Sequence, residues 1–203
     1  MKNINGEDFK IILAEYQTES EIYDYCVDSS SFKGSSMKEK NFRLCIFNNC
    51  KFTRCNMSNS QFTACIFNGC EFEGCYTQST AFVRCTYLFT VFAKGLMAKS
   101  EFTQNNLANC EFISCQLIDA KFFNCHFVGH FRFINVNLTN AVFDFCTRFK
   151  DEKGDSELFG ANVNFKNMRI LNCNFNLHVE IDDRIIELIK RLKGDEGDAA
   201  QRK

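Results

Sequence analysis

No proline occurs in the 203 residues. No run of about 18 apolar residues occurs either, so no segment qualifies as a membrane-spanning helix. The missing proline leaves every backbone N–H free to donate, as a structure of stacked backbone ladders requires. Net charge is also missing: the formal value is −1, too little to recruit nucleic acid or an anionic membrane by a general field. The stretch from Met1 to Ala14 carries Glu7 and Asp8 ahead of the short apolar run Ile11-Ile12-Leu13. It lacks the basic start and small-residue cleavage site of a secretory signal. No C-x2-C pair occurs, the spacing that a structural zinc site favours. There is no glycine-rich phosphate loop, and His126, His130 and His178 stand at no distance from Ser or Cys that suggests a triad. The expectation is a chain with no catalytic residues, no cofactor and no metal.

What the chain does have is phenylalanine and cysteine, 24 and 13 respectively. An odd number of cysteines without a secretion signal reads as reduced thiols in a cytoplasmic protein. Their placement follows a period of five. From Asn41 the chain divides without a gap as NFRLC IFNNC KFTRC NMSNS QFTAC IFNGC EFEGC. A large apolar residue stands at each centre: Phe42, Phe47, Phe52, Met57, Phe62, Phe67, Phe72, and onward through Phe122 and Phe127. Two residues before each centre is a small side chain, and ten of the 13 cysteines occupy that slot. Helices place apolar residues every 3 to 4 residues and strands every 2, so neither explains this period. A five-residue step with one large and one small inward residue needs a turn at every repeat, and four steps close a square coil. Columns at a spacing of twenty support this: Phe42, Phe62, Phe82, Phe102 and Phe122 form one, and Phe52, Phe72, Phe92 and Phe112 another. Phe47, Phe67, Tyr87, Leu107 and Phe127 form a third, while Met57, Thr77, Met97 and Leu117 make the weakest.

This pattern resembles the pentapeptide-repeat family, whose consensus is a small residue, Asp or Asn, Leu or Phe, then two polar residues. The likeness extends over 20–177, about 28 repeats in about seven coils. It implies an all-β fold, a right-handed quadrilateral β-helix solenoid, with a short C-terminal α-helix following. The chain departs from the consensus in preferring Cys to Ala in the small slot. It also has few acidic residues in the second position.

Residues 1–19 are expected to cap the first coil, with Phe9 to Tyr16 as helix or strand. The frame breaks twice. One extra residue sits near Gly129-His130, and a charged loop is expected over 147–160 before the frame resumes at Phe165, Ile170 and Phe175. Over 178–194, Asp182 and Asp183 can cap a helix. Ile181, Ile185, Leu188 and Leu192 share one face, Lys190, Arg191 and Lys193 fill the last turn, and Gly194 stops it. This helix reads as a lid or as a homodimer contact, and 195–203 as a disordered polar tail. The cysteines read as packing residues. Stacked neighbours would hold their Cβ vectors parallel, which disfavours disulfides. Cys125, His126 and His130 form the single Cys/His cluster.

Between Lys40 and Cys146 there are six acidic and nine basic residues. The body is therefore too basic to copy a duplex, and too weakly basic to make direct DNA binding the first choice. Two functions are carried forward. One is a protein-binding solenoid with no membrane role, contacting its partner through Val83, Leu88, Phe89, Val91 and Leu96. The alternative comes from the resemblance. Bacterial members that include the quinolone-resistance (Qnr) proteins bind the type II topoisomerases DNA gyrase and topoisomerase IV, which would assign contacts here to Arg148, Phe149, Lys150, Asp151, Glu152 and Glu157.

Overall fold

Each side of the coil ends on a residue in the left-handed backbone region, and this turns the chain. Around one coil the corner residues Leu44, Asn49, Arg54 and Asn59 have φ of 53°, 50°, 53° and 58°. Asn recurs at these corners because its short side chain tolerates that region. The computed structural model describes residues 1–16, 21–149 and 158–177. Its turns wind into a parallel β-solenoid with three stranded faces and one face of turns.

Face 1 is an eight-stranded sheet running from Glu21–Tyr23 to Arg169–Leu171, and face 2 is nine-stranded, from Lys2–Ile4 to Asn174–Leu177. Face 3 has six strands, from Ser31–Lys33 to Arg132–Ile134. Face 4 holds its coils together by single bridges, Ser36↔Asn56↔Tyr76↔Leu96↔Gln116. Pairing runs at twenty residues, as in Phe62↔Phe82↔Phe102. After the extra residue it runs at twenty-one, as in Phe112↔Phe133 and Phe122↔Phe143. The expected insertion is therefore a bulge at the corner between faces 2 and 3. Gly129 (φ +63°) takes that corner, where a Cβ would lie 2.6 Å from Asn109 Oδ1.

Inside, the centre residues stack by column. Phe42 and Phe62 have centroids 4.5 Å apart at 5°. Beyond the bulge the column is restored, Phe122 and Phe143 lying 4.6 Å apart at 2°. Full burial of such a ring contributes on the order of 1.5–3 kcal/mol, and edge-to-face contacts join the columns within each coil, as between Phe67 and Phe72 at 5.4 Å.

The small slot is also a hydrogen-bonding position. Cys45 Sγ donates to the Ile22 carbonyl at 3.3 Å, Cys85 Sγ to that of Phe62 at 3.3 Å, and Thr80 Oγ1 to that of Met57 at 2.6 Å. Each bond reaches the centre residue of the coil below. Cys, Ser, Thr and Asn share the slot because each carries a donor as well as small volume.

The N-terminal segment contains both a strand and a helix. Lys2–Ile4 extends face 2 by pairing with Tyr25–Val27. The helix Gly6–Glu15 follows, its N-cap Asn5 accepting the Asp8 N–H at 2.9 Å. The helix plugs the open end of the barrel with Phe9, which packs edge-on against Phe32 and Phe47 at 5.8 and 5.6 Å. Lys40 Nζ donates to the Tyr16 carbonyl, fixing the helix C-terminus.

The loop expected over 147–160 is shorter at both ends. Thr147–Phe149 remains a strand of face 2, and Phe159 already bridges Phe133. The C-terminal helix expected over 178–194 lies outside the described residues, as does the tail.

Candidate functional site

An outward side chain on this rod has its neighbours one coil above and below, twenty or twenty-one residues away. Sequence neighbours point elsewhere, because every five residues the chain turns a corner. This geometry divides the patch expected from sequence. Val83 lies on face 1, Leu88 on face 2, Phe89 at the next corner, Val91 on face 3 and Leu96 on face 4. They are spread over four faces and one corner of the same coil. Leu88 is moreover buried, in a small outer cluster with Ala108 and Val128.

The expected loop contacts also redistribute. Arg148 stands at the centre position of its repeat, paired in register with Phe127, and is buried. It follows Phe67, Tyr87, Leu107 and Phe127 up the inward column, so its guanidinium is not presented by a loop. Phe149 is half-buried against Leu88, Ala108 and Val128. Lys150, Asp151, Glu152 and Glu157 lie outside the described residues, as do Ile181, Ile185, Leu188 and Leu192.

What the structure brings together is a group that sequence analysis passed over. At the edge of face 1 near the C-terminal end, Phe123 and Phe145 meet edge-to-face with centroids 5.9 Å apart. They remain 43% and 52% exposed, and Leu171, paired beside Asp144, is 40% exposed. The signal was a spacing of twenty-two, which becomes a contact only after the bulge at Gly129-His130 shifts the register by one. A smaller exposed pair, Tyr76 and Leu96, is bridged on face 4.

Charges on the rod are paired between coils. Lys51 meets Glu71 at 2.8 Å, Lys121 meets Glu101 at 2.8 Å, and Arg132 meets Glu111 at 2.6 Å. Such exposed pairs contribute little stability, but they interleave the two signs along the faces.

The Cys125, His126 and His130 cluster does not converge. The Cys125 thiol points inward and donates to the Phe102 carbonyl at 3.1 Å. His126 Nδ1 lies 2.6 Å from Thr147 Oγ1 on the outside, and His130 Nε2 is 3.4 Å from Glu111. Among the described residues, no group of three or more His, Cys, Asp or Glu is placed to hold a metal. Burial pushes the Cys110 thiol up to about 12 and that of Cys115 up to about 11, far from the thiolate character of a nucleophile.

A sequence model of the family described as Pentapeptide repeats matches residues 29–63 and 55–76, in eight copies. No curated protein sequence matches the chain. Among solved structures, the chain is similar to a trypsin-treated form of QnrB1, described as a plasmid-mediated fluoroquinolone resistance protein. Identity is 16%, coverage 87% of this chain and 89% of that one, and the TM-score 0.47. Full-length QnrB1 gives 13%, 86%, 100% and 0.31. HetL, a pentapeptide repeat protein involved in heterocyst differentiation regulation from the cyanobacterium Nostoc, gives 6%, 86%, 95% and 0.26.

Proposed function

The chain belongs to the pentapeptide-repeat family, and from that premise we propose that it is a non-enzymatic, cytoplasmic protein-binding solenoid. The contact surface is the aromatic edge formed by Phe123, Phe145 and Leu171. The supporting observation is that two phenylalanine rings stay 43% and 52% exposed while packed on each other. Contiguous exposed apolar groups of this kind mark protein contacts on otherwise polar surfaces. Rigid spacing by the sheets beneath keeps both rings ready to enter a partner's pocket without further ordering.

The test is an affinity capture from a cell lysate, comparing the full chain with a Phe123→Lys/Phe145→Asn variant. Asn suits the left-handed corner at position 145, where φ is 53°. A protein retained by the full chain and lost with the variant supports this surface. Equal retention by both removes it. The alternative, protection of DNA gyrase or topoisomerase IV, rests on the family resemblance and would centre on Lys150, Asp151, Glu152 and Glu157. Capture of topoisomerase subunits that depends on 150–157, and not on Phe123 and Phe145, would favour it. Interleaved charge pairs such as Lys51–Glu71 and Lys121–Glu101 argue against imitation of a duplex in either case.

A further inference from the structure

Face 1 ends on the strand Arg169–Leu171, which pairs in register with Val142–Asp144 below it. In that lower rung the Ala141 carbonyl accepts the Arg169 N–H at 2.9 Å, and the Phe145 N–H donates to the Leu171 carbonyl at 3.1 Å. The groups that point the same way from the last rung are the Met168 carbonyl and the Asn172 N–H, with the N–H and carbonyl of Ile170 between them. Among the described residues, no further strand pairs with this edge. An open edge of this kind is a template for another strand. Its inward residue is open as well. At the other end of the rod Ile22 and Phe32, inward in the first strands of faces 1 and 3, are fully buried, whereas Ile170 is 44% exposed. Ile170 heads a column whose lower members, Phe122 and Phe143, stack at 4.6 Å.

The side chains of the edge select what would pair with it. On faces 1 and 3 the basic residues at the first strand position are Lys51, Lys121, Arg132 and Arg169. The first three each meet a glutamate in register one rung away, Glu71, Glu101 and Glu111. Arg169 has Val142 beneath it, so a carboxylate in register can come only from a rung above. The rod already contains the matching pair of rungs: Arg132-Phe133-Ile134 lies against Glu111-Phe112-Ile113. Arg169-Ile170-Leu171 repeats the order of a basic, an inward apolar and an outward apolar residue.

We propose that Arg169–Leu171 takes an extended peptide of a partner protein as an added parallel strand, with a carboxylate over Arg169, a large apolar side chain over Ile170 and a further apolar one over Leu171. Main-chain bonds to the edge supply affinity, and the alternating side chains supply specificity. Opposite charges directly across two strands favour this register over one shifted by a residue. Leu171 also belongs to the contact edge proposed above, and strand addition there depends on that reading.

The test is fluorescence anisotropy with the full chain and a short fluorescein-labelled peptide carrying Glu-Phe-Ile at its centre. In a parallel added strand the Glu and Ile N–H groups face the edge and the Phe N–H faces away. N-methylation of the Glu and Ile amides should therefore abolish binding, while N-methylation of the Phe amide should retain it. These probes leave the protein unaltered, so folding of a variant is not at issue. Arg169→Glu should weaken the peptide at least about fivefold, and a peptide with Lys in place of Glu should recover the loss. No binding up to about 1 mM, equal binding of the two methylated peptides, or no recovery by the Lys peptide overturns the proposal. Binding that weakens as the protein concentration is raised would give the edge to a second copy of the chain, and overturns it too. Peptide binding as expected, with lysate capture indifferent to Phe123 and Phe145, removes the aromatic pair alone. Capture that depends on those rings, with no peptide binding, removes strand addition alone.

Discussion

The side-chain amide of Asn105 donates to the carbonyl of Phe82 at 2.9 Å, across the interior from one coil to the one below. The same side chain accepts the Cys85 N–H at 2.7 Å through Oδ1. Asn105 is fully buried in a slot that cysteine fills in the same column at Cys45, Cys65, Cys85 and Cys125, and it performs both roles of the slot: donor downward and acceptor for the strand start. Asn105→Ala leaves two buried backbone groups without partners, so a loss of about 1–3 kcal/mol is expected. Asn105→Ser restores a donor and should lose less. Urea unfolding of the three proteins checks the order; equal midpoints for Ala and Ser would show that the slot selects volume alone.

Tyr87 replaces phenylalanine in the face 2 column, stacked on Phe67 at 5.1 Å and fully buried. Its hydroxyl has no hydrogen-bond partner among the described residues. Tyr87→Phe keeps the stack and removes the unsatisfied group, so the variant should be more stable by about 1 kcal/mol. A lower melting temperature for the variant would refute this.

Corner positions tolerate asparagine better than branched or bulky residues. Leu44 stands at φ 53° and is 39% exposed, so its side chain gains little from packing. Leu44→Asn is expected to raise stability by about 1 kcal/mol through relief of left-handed strain. Unfolding in denaturant measures it, and a destabilised variant would show that the Leu44 side chain has packing value outweighing the strain.

Burial holds His126 below the ordinary imidazole range. The unfolded chain therefore takes up a proton near pH 6.5 while the folded chain resists it. Stability is unaffected by this group above that pH, and is lost as pH falls from about 6.5 toward the lower folded value. His126→Gln should flatten that part of the profile relative to the parent protein. Parallel profiles for both, from urea melts at pH 8 to 5.5, would exclude His126 as the cause.

Of the 13 cysteines, Cys26 and Cys173 alone are not fully buried. Both are shifted upward by burial, Cys173 to about 11, so even these should alkylate slowly near neutral pH. Native labelling is expected to stop at those two, with the full set reacting in denaturant. Rapid labelling of Cys45 or Cys65 in the native protein would show that the coils open locally.

Much of this architecture is present in the sequence. The five-residue frame, the cysteine slot, the columns at twenty and the single inserted residue at Gly129-His130 can all be counted along the chain. They are countable because each inward position repeats the same local demand, a large ring or a small donor, at every turn. The N-terminal segment was less determinate: its apolar run is compatible with helix or strand, and the end of the barrel selects a helix there because Phe9 fits between Phe32 and Phe47. Contacts on the outside were not countable in this way. Val83, Leu88, Phe89, Val91 and Leu96 are close in sequence, yet each corner sends the next one to another face. Phe123 and Phe145 meet only because the bulge shifts the register, and Arg148 sits inward because the frame continues one repeat past the point where its charge suggests a loop. Sequence by itself determined the coil, since local periodicity and column stacking enforce one another. Only the tertiary structure decided the surface, since which outward side chains become neighbours depends on register between coils, a long-range quantity that no short segment encodes.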